Sequence, residues 1–492
     1  MILDREACYR AVKTRDSRFD GRLFVGVHST GIYCRPICPA RTPKFENLSF
    51  FTNAAAAQEA GFRPCLRCRP ECSPEIGAWR GTSNTVSRAL ALIGDGFLDG
   101  EADVEALGSR LGVGERQLRR LFQKHLGASP ISVAQTRRVH LAKQLIHDTS
   151  MSMVDVALAS GFGSVRRFND TFRTLYKRPP SELRRKDVRD PGITITLSYA
   201  PPYDWAAMME FFAGRAIEGV EVVTPERYMR TIALDGVQGT VSVAPVPGKH
   251  ALAATIAFPN VKALPTIVSR LRRMFDVGAD VRAITAHLKK DARLAQAIKA
   301  RPGLRVPGAW DPFELAMRAV LGQQITVVAA RKLAGKLVAL CGEPMPQTSR
   351  SIQGLTHTFP SAAQVAEADL SAMGMPGARI RTLTAVAKAA VAERDLFSTA
   401  IDLESAVARL CALPGIGEWT AQYIALRALH EPDAFPASDV GLLRAMDDYL
   451  GKRATAEELL DIAQSWRPWR AYAAQHLWTA DAGQPAARKK AA

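Results

Sequence analysis

The sequence lacks any apolar run near the roughly 18 residues that a membrane-spanning helix needs. Its first residues, MILDREACYR, also lack the apolar segment of a secretory signal peptide. With 47% hydrophobic and 23% charged residues, the composition differs from that of disordered or fibrous chains. These absences disfavour membrane insertion, secretion and disorder. The 492 residues therefore predict a folded, cytoplasmic protein of three or four domains.

Acidic residues are too few to balance the basic ones. The chain has 65 Lys and Arg but 48 Asp and Glu, a formal net charge of +17. Residues 1–186 carry 30 basic and 18 acidic side chains, a net +12, whereas the remaining 306 residues carry 35 and 30, a net +5. A surplus of this size favours a polyanionic partner. We expect double-stranded DNA, held chiefly by the N-terminal part.

Two closely spaced cysteine pairs predict a metal site. Cys34 and Cys38 form one pair and Cys65 and Cys68 the other, and two such pairs supply the four sulfurs of a tetrahedral Zn²⁺ site. A disulfide framework or scattered buried thiols are the alternatives, and disulfides are disfavoured without a secretion signal. We predict one Zn²⁺ on these four residues, with Cys72 as a bystander. The three isolated cysteines are expected to be small buried apolar residues: Cys8, Cys341 and Cys411.

Basic residues surround the predicted zinc site, and two of them, Arg35 and Arg41, are expected to contact DNA phosphate. The segment HSTGIYCRPICPAR…GFRPCLRCRPE resembles the methyl-acceptor domain of the bacterial Ada family over residues 1–75. The resemblance implies a small zinc-bound α/β domain in which Cys34, still a zinc ligand, takes a methyl group from a DNA methylphosphotriester. Methylation turns a thiolate into a neutral thioether, so we expect repulsion from DNA to fall.

Residues 76–186, with 18 basic and 10 acidic side chains, predict a second DNA-binding domain. Two segments have the pattern helix, glycine-containing turn, helix, and a long helix over about 130–147 joins them. Solvated basic faces are the alternative. The stretch resembles the AraC-type regulators, which implies promoter DNA and RNA polymerase as partners. The expected DNA contacts lie on the two second helices: Arg116, Gln117, Arg119, Arg120, Arg166, Arg167 and Asn169.

The C-terminal part departs from the Ada pattern. After a hinge at 187–192, residues 193–275 alternate strand-like stretches with helices near 203–212 and 260–274, and the rest is predicted helical. The second methyltransferase motif of the Ada family is absent, so we expect no direct repair of O6-methylguanine. Instead, LPGIGEWTAQYIALRAL predicts a helical hairpin whose turn, with Gly415 and Gly417, would bind DNA phosphate, although a plain turn is the alternative.

A helix is also predicted to begin at Asp439, 20 residues after Trp419, where N-capping is the alternative role. With DPFELAMRAVLGQQIT and WRPWRAYAAQHLW, these motifs resemble the helix-hairpin-helix DNA glycosylases of the AlkA type over about residues 193–480. The resemblance implies Asp439 as the catalytic aspartate and a base pocket of Trp419, Tyr423 and Trp478. Gln324 takes the position at which the family has a leucine that wedges into the duplex, and a wedge shared with Ile325 is the alternative. Because Trp419 replaces the lysine of bifunctional relatives, no lyase activity is expected.

The sequence therefore predicts a multidomain, mainly α protein with α+β parts that repairs alkylated DNA and regulates transcription. Its glycosylase half, without a cofactor, is expected to hydrolyse the N-glycosidic bond of bases such as 3-methyladenine, in a nucleoid-associated monomer. A regulator with a non-catalytic glycosylase fold is the alternative, and a different lesion class is another. Trp310, Trp466 and Trp469 are expected in the core. The predicted segments are 1–75, 76–186, the linker 187–192, 193–275, 276–483 and a flexible tail 484–492.

Overall fold

The computed structural model describes residues 4–74, 84–100, 102–184, 193–346, 352–393 and 395–482. They divide into two units. The first contains the described residues up to 200 with 234–272 and 277–279, and the second contains 201–233, 273–276 and the described residues from 280. The predicted linker and tail lie outside the described residues, and the predicted domain boundaries stay predictions. No helix within these ranges is long and apolar enough to cross a membrane.

A four-stranded sheet opens the first unit and brings the two cysteine pairs together. Strands β2 and β4 pair in parallel with Tyr33 opposite Pro64, so the residues that follow, Cys34 and Cys65, are neighbours. The sheet order is β3-β1-β2-β4. Its elements, with the two helices of this region, are α1 (Arg5–Lys13), β1 (Phe24–Val27), β2 (Ile32–Cys34), β3 (Leu48–Phe51), α2 (Ala54–Glu59) and β4 (Arg63–Pro64).

The two faces of this sheet pack on different helices. Successive side chains of a strand point to opposite faces, so Val25 and Val27 join a cluster with Cys8 of α1. Phe24 joins a second cluster with Ala57 of α2. The predicted small α/β domain is thus present, and burial of Cys8 is confirmed.

Six helices follow and confirm the predicted pair of helix-turn-helix segments. Phe122 and Phe168, in the second helix of each pair, are fully buried, as predicted. The turn of the second pair requires glycine, because Gly161 has φ +81° and a Cβ there would lie 2.4 Å from the Asp99 carboxyl carbon. The helices are α3 (Asn84–Gly94), α4 (Val104–Arg110), α5 (Glu115–Leu126), α6 (Pro130–Asp148), α7 (Met153–Ala159) and α8 (Val165–Tyr176).

Helix α6 joins the two helix pairs and also contacts the cysteine-bearing sheet. Thr136 and His140 lie one turn apart on the side that faces the sheet. Thr136 Oγ1 donates to Gln58 Oε1 at 3.0 Å, and His140 Nε2 lies 2.9 Å from Tyr33 Oη. These contacts tie the helix between the two helix-turn-helix pairs to Tyr33, the residue that precedes Cys34.

One turn further along α6, a buried ion pair strengthens this contact. Lys143 Nζ lies 2.9 Å from Glu71 Oε2 and donates to the Cys65 carbonyl at 3.3 Å, and both charged side chains are inaccessible to solvent. Burial raises the pKa of Glu71, but the attraction of Lys143 outweighs it and leaves that pKa below its ordinary value. Two buried charges that compensate each other fix the position of α6 against the segment that carries Cys65, directly after β4.

The strands and helices predicted between residues 193 and 275 are confirmed, with one addition. The three residues of β6 were too few to give a periodic signal. In the first unit β9 pairs antiparallel with both β5 and β8. In the second unit β6 pairs antiparallel with β7. The elements are β5 (Ile193–Ser198), α9 (Trp205–Arg215), β6 (Glu221–Val223), β7 (Tyr228–Leu234), β8 (Val237–Pro245), β9 (Ala251–Ala257) and α10 (Leu264–Met274).

The rest of the second unit is helical, as predicted. Helix α13 lies in its core, with Ala316 and Val320 fully buried. Burial of Trp310, Trp466 and Trp469 is confirmed. The helices are α11 (Val281–Leu288), α12 (Ala292–Ala300), α13 (Pro312–Leu321), α14 (Val327–Cys341), α15 (Ala362–Glu367), α16 (Gly377–Ala392), α17 (Leu403–Cys411), α18 (Glu418–Arg427), α19 (Val440–Leu450), α20 (Ala456–Ala463) and α21 (Arg470–Ala482).

Two of the cysteines predicted to be small buried apolar residues are less buried than expected. Cys341 and Cys411 are only half-buried, because each ends a helix at the margin of the core. Both still pack against that core, as small apolar residues do.

We predict that Lys143→Met destabilises the first unit by about 1–3 kcal/mol, because Glu71 loses the partner of its Oε2 and keeps only Arg69, whose Nε lies 3.0 Å from Oε1. Hydrogen exchange of peptides that cover α6 and residues 63–72 measures this loss. The double variant with Glu71→Leu removes both charges and should recover most of it. The exposed Lys124→Met on α5 is the matched control. Unchanged exchange in Lys143→Met would contradict the role of the pair.

Candidate functional site

Four sulfurs form the one cluster of metal-binding type within the described ranges. The Sγ atoms of Cys34, Cys38, Cys65 and Cys68 all lie within 4.8 Å of one another. Thiolates on a tetrahedral Zn²⁺, each about 2.3 Å from the ion, are about 3.8 Å apart. The set therefore fits Zn²⁺ as predicted, and Cys72 lies outside it.

The four sulfurs differ in exposure and in their tendency to ionise. Cys65 and Cys68 are buried, whereas Cys34 and Cys38 are half-buried, so the latter pair is the accessible one. Hydrogen bonding to the other three sulfurs, with burial, raises the pKa of Cys34. The four cysteines would hold Zn²⁺ as thiolates, because a coordinating thiol is deprotonated.

The two arginines predicted to contact phosphate near the cluster lie in different surroundings. Arg35 Nε donates to Asp20 Oδ1 at 2.8 Å, and the same guanidinium donates to the Cys68 carbonyl at 3.2 Å. Its side chain is 13% exposed. The interpretation of Arg35 as a phosphate contact is therefore corrected: the Asp20 carboxylate compensates its charge, and it braces the cysteine loop. Arg41 is exposed, which is compatible with its predicted role.

The predicted DNA contacts of the helix-turn-helix pairs lie largely on exposed faces. Those of α5 and the two arginines of α8 are exposed, and the asparagine of α8 is half-buried. Arg119 forms an ion pair with Glu115 and Arg166 with Asp170. Such exposed pairs contribute little energy, so DNA phosphate can replace the carboxylates. Their DNA contacts stay predictions. The residues are Arg116, Gln117, Arg119, Arg120, Arg166, Arg167 and Asn169.

The predicted hairpin is formed by α17, the turn LPGIG and α18. Gly415 has φ +79°, and a Cβ there would lie 2.0 Å from Thr382 Oγ1, so the turn admits only glycine. Gly417 is the N-cap of α18. Gln323 fixes the turn from outside, since its Nε2 donates to the Gly415 carbonyl at 3.0 Å and to Thr420 Oγ1 at 3.1 Å.

Gln324, the predicted wedge, occupies the loop between α13 and α14. It is exposed and has φ +57°, a conformation uncommon for residues other than glycine. Arg379 Nη2 donates to the Gln323 carbonyl at 2.7 Å. The loop that carries Gln324 is thus anchored to the hairpin turn by Gln323, a residue that the sequence reasoning missed. The motif LGQQIT contained it, but spacing alone does not tell which glutamine faces inward.

Asp439 is the N-cap of α19, and its carboxylate is surrounded by N–H donors. Oδ1 accepts from the Gly441 and Leu442 amides at 2.9 and 3.1 Å and from Trp478 Nε1 at 2.8 Å. Oδ2 accepts from Trp419 Nε1 at 2.9 Å. All four partners are donors, an arrangement that suits the ionised carboxylate. Asp439 therefore caps α19 and at the same time binds the two indoles, and its catalytic role stays a prediction.

The three aromatic residues predicted to form a base pocket do lie together. The rings of Trp419 and Tyr423, one turn apart on α18, are stacked with centroids 5.4 Å apart. Tyr423 meets Trp478 edge to face at 6.3 Å. Because both indole N–H groups bind Asp439, the tryptophans orient the carboxylate as well as presenting ring surface.

Sequence reasoning missed two residues of this aromatic group. Arg427 is one turn beyond Tyr423 on α18, and Phe211 of α9 lies beneath it at 4.6 Å. Burial lowers the pKa of Arg427 to about 10. Burial raises the pKa of Tyr423, but the charges of Arg427 and Arg215 outweigh it and leave that pKa below its ordinary value. Residues 419, 423 and 427 are spaced i, i+4, i+8, and this spacing indicates that Arg427 shares a helix face with the two aromatic residues.

Four domain families match the chain in succession. They are the metal binding domain of Ada at residues 7–71, a helix-turn-helix domain at 107–186, the AlkA N-terminal domain at 194–311, and the HhH-GPD superfamily base excision DNA repair protein at 317–469. These matches agree with the predicted order of functions along the chain.

One relative matches almost the whole chain, and two further proteins match part of it. "Probable bifunctional transcriptional activator/DNA repair enzyme AlkA" of Mycobacterium tuberculosis is 41% identical over 485 residues, 97% of this chain and 96% of its own length. "DNA-3-methyladenine glycosylase 2" of Escherichia coli is 34% identical over 297 residues, 59% of this chain and 98% of its own. A solved 3-methyladenine DNA glycosylase of Archaeoglobus fulgidus shares the fold, with a TM-score of 0.51 and 23% identity over 58% of this chain and 98% of its own. The chain therefore belongs to the family of bifunctional transcriptional activators and DNA repair enzymes that join an Ada-type metal-binding domain to an AlkA-type DNA glycosylase.

Proposed function

We propose that the second unit hydrolyses the N-glycosidic bond of alkylated purines such as 3-methyladenine in DNA. The observation that carries this proposal is the Asp439 carboxylate, which two indole N–H groups and the start of α19 hold beside the stacked rings of Trp419 and Tyr423. An extruded base stacks on such rings. The carboxylate then faces the sugar of the same nucleotide.

The proposed chemistry is electrostatic. As the bond between C1′ and the base nitrogen breaks, both electrons leave with the base and positive charge develops on the sugar. The Asp439 carboxylate stabilises that charge and orients the water that adds to C1′. An N-alkylated purine carries positive charge and leaves as a neutral base, so this step needs neither a strong general acid nor a cofactor. Trp419 cannot form a Schiff base, which agrees with hydrolysis without strand cleavage.

We predict that Asp439→Asn lowers the single-turnover rate of 3-methyladenine release by at least about 100-fold, the usual effect of losing one charge-stabilising group. Asparagine is also a good N-cap, so α19 should remain intact. Release is measured by chromatography of free base from methylated duplex DNA.

Asp402→Asn is the matched control, because Asp402 caps α17 in the same unit by accepting from the Ser405 amide. It should retain the wild-type rate. Equal release by wild type and Asp439→Asn would refute the proposal and favour a regulator with a non-catalytic glycosylase fold.

We further propose that Cys34 accepts one methyl group from a DNA methylphosphotriester. The Cys34 thiolate attacks the methyl carbon, an S–C bond forms, the O–C bond breaks, and its electron pair stays on the phosphate oxygen. Cys34, Cys38, Cys65 and Cys68 would hold Zn²⁺, which keeps the sulfurs ionised at neutral pH when bound. Exposure leaves Cys34 and Cys38 as candidates, and the Ada resemblance favours Cys34.

We predict that the zinc-loaded chain gains about 14 Da, one CH₂ increment, after incubation with methylphosphotriester DNA. Intact-mass measurement and peptide mapping should place the group on Cys34. Cys34→Ser should gain nothing, whereas Cys72→Ser, the matched cysteine outside the cluster, should behave as wild type. A methyl group on Cys38 or Cys72 would overturn the assignment.

We also propose that the first unit binds promoter DNA through α5 and α8. Two helix-turn-helix pairs in one chain can occupy successive major-groove segments without a dimer partner, so we propose a monomer. RNA polymerase is the proposed protein partner, because the Mycobacterium tuberculosis relative is named a transcriptional activator. Activity on chromosomal DNA would place the protein at the nucleoid.

We predict that the double variant Arg120→Gln/Arg167→Gln reduces the slope of log Kd against log salt concentration. The reduction should be about 0.9 for each lost phosphate contact. Fluorescence anisotropy with an undamaged duplex measures it. Lys299→Gln, an exposed cation of the second unit, is the control and should leave the slope unchanged. An unaltered slope in the double variant would argue against both arginines as phosphate contacts.

A further inference from the structure

Arg427 is a buried cation within the aromatic group. Its guanidinium carbon lies 5.1 Å from the ring centroid of Trp478, 5.7 Å from that of Tyr423 and 4.6 Å from that of Phe211. The residue is 3% exposed. Because Trp478 also donates to Asp439, one indole contacts both the cation and the anion of the site.

The hydrogen-bond partners of this guanidinium are uncharged, and the charges of Arg215 and Asp439 lie near enough to act on it. Nη1 donates to the Pro307 carbonyl at 3.0 Å and Nη2 to the Gln475 Oε1 at 2.9 Å, and Nε has no hydrogen-bond partner among the described residues. A buried charge without a directly bonded carboxylate is costly. The second unit keeps it beside the rings proposed to bind the base, where an apolar side chain would fill the space at lower cost.

We propose that Arg427 is an electrostatic specificity residue of the glycosylase site, acting through the rings of Tyr423 and Trp478 on the charge of the extruded base. This inference rests on the proposed base release. It adds to Asp439 a second charge of opposite sign, which lies on the base side of the breaking bond.

The direction of its effect follows from the electron balance. When the C1′–N bond breaks, its electron pair passes to the base, so a cationic base becomes neutral and a neutral base becomes anionic. In both cases the charge near Arg427 becomes more negative, while that near Asp439 becomes more positive. The guanidinium therefore stabilises the transition state relative to the bound substrate. Water completes the reaction by adding to C1′ and releasing a proton to solvent.

For substrates with a cationic base, the Arg427 charge weakens binding although it accelerates bond cleavage. A cationic base such as 7-methylguanine is repelled by Arg427 before the bond breaks, whereas a neutral base such as hypoxanthine is not. Removal of the charge should thus tighten binding of a duplex with the cationic lesion and still slow its release. A residue that only supports packing would weaken both binding and rate.

The test compares Arg427→Met with Arg427→Lys, using duplexes that contain 7-methylguanine or hypoxanthine. In Arg427→Met the single-turnover rate should fall roughly tenfold for both bases, a size expected for one charge at the effective protein dielectric. The Kd should fall several-fold for the 7-methylguanine duplex and stay unchanged for hypoxanthine. Arg427→Lys should recover most of both effects. Arg409→Met, which removes a paired surface arginine of α17, is the control.

Gln475→Glu gives a second route if Arg427→Met folds poorly. It keeps the guanidinium in place and adds a carboxylate at its 2.9 Å contact, so the charge is neutralised without loss of packing. The same opposite changes of rate and Kd are expected. Weaker binding of both duplexes in Gln475→Glu would overturn the proposal. Unchanged rates in both Arg427→Met and Gln475→Glu would also overturn it. Absence of release by the wild type would instead refute the glycosylase function on which it rests.

Discussion

The second unit depends on one carboxylate. Asp439 begins α19, accepts one indole N–H from α18 and accepts another from α21, so three helices meet at two oxygen atoms. Each of these bonds restricts a different degree of freedom: the backbone amides set the start of α19, and the indoles set the planes of Trp419 and Trp478. Because Trp419 is stacked on Tyr423, the position of the third ring follows. A side chain that caps a helix thereby fixes the aromatic group as well, so the alternatives of capping and catalysis are not exclusive at Asp439.

The first unit has a corresponding constraint at Lys143 and Glu71. Their buried pair, with the Lys143 contact to the Cys65 carbonyl, joins the cysteine cluster to the helix between the two DNA-reading pairs. A methyl acceptor on a freely tethered domain could change charge without consequence for α5 and α8. Here α6 contacts residues beside the cluster, so a charge lost in the methylation proposed for Cys34 would act on the field of the surface proposed to bind DNA.

Much of this architecture could be predicted because its signals are local. Cysteine spacing, the apolar stripes of α5 and α8, the glycine at 415 and the aspartate that begins α19 each act within a few residues of chain. What escaped prediction depends on contacts between distant residues. Arg35 appeared to be a phosphate contact because its partner, Asp20, is 15 residues away, and Gln323 reaches Gly415 across 92 residues. Composition counts charges but does not tell which of them the fold has already paired.

The burial of Arg427 is the clearest case of a feature that depends on contacts between distant residues and that the sequence did not predict. A basic residue near the end of a helix normally stabilises the helix dipole and remains in water, which is the ordinary expectation from its position on α18. The fold instead buries it against Phe211, more than 200 residues away in the sequence. The net charge of the last 306 residues is only +5. This total does not show that an anion, Asp439, lies at the indole edges while a cation, Arg427, lies over the ring faces. When the bond to the base breaks, electrons move from the sugar near Asp439 to the base near Arg427, the direction that these two charges favour. A half of the chain with little net charge can thus still assist bond cleavage electrostatically.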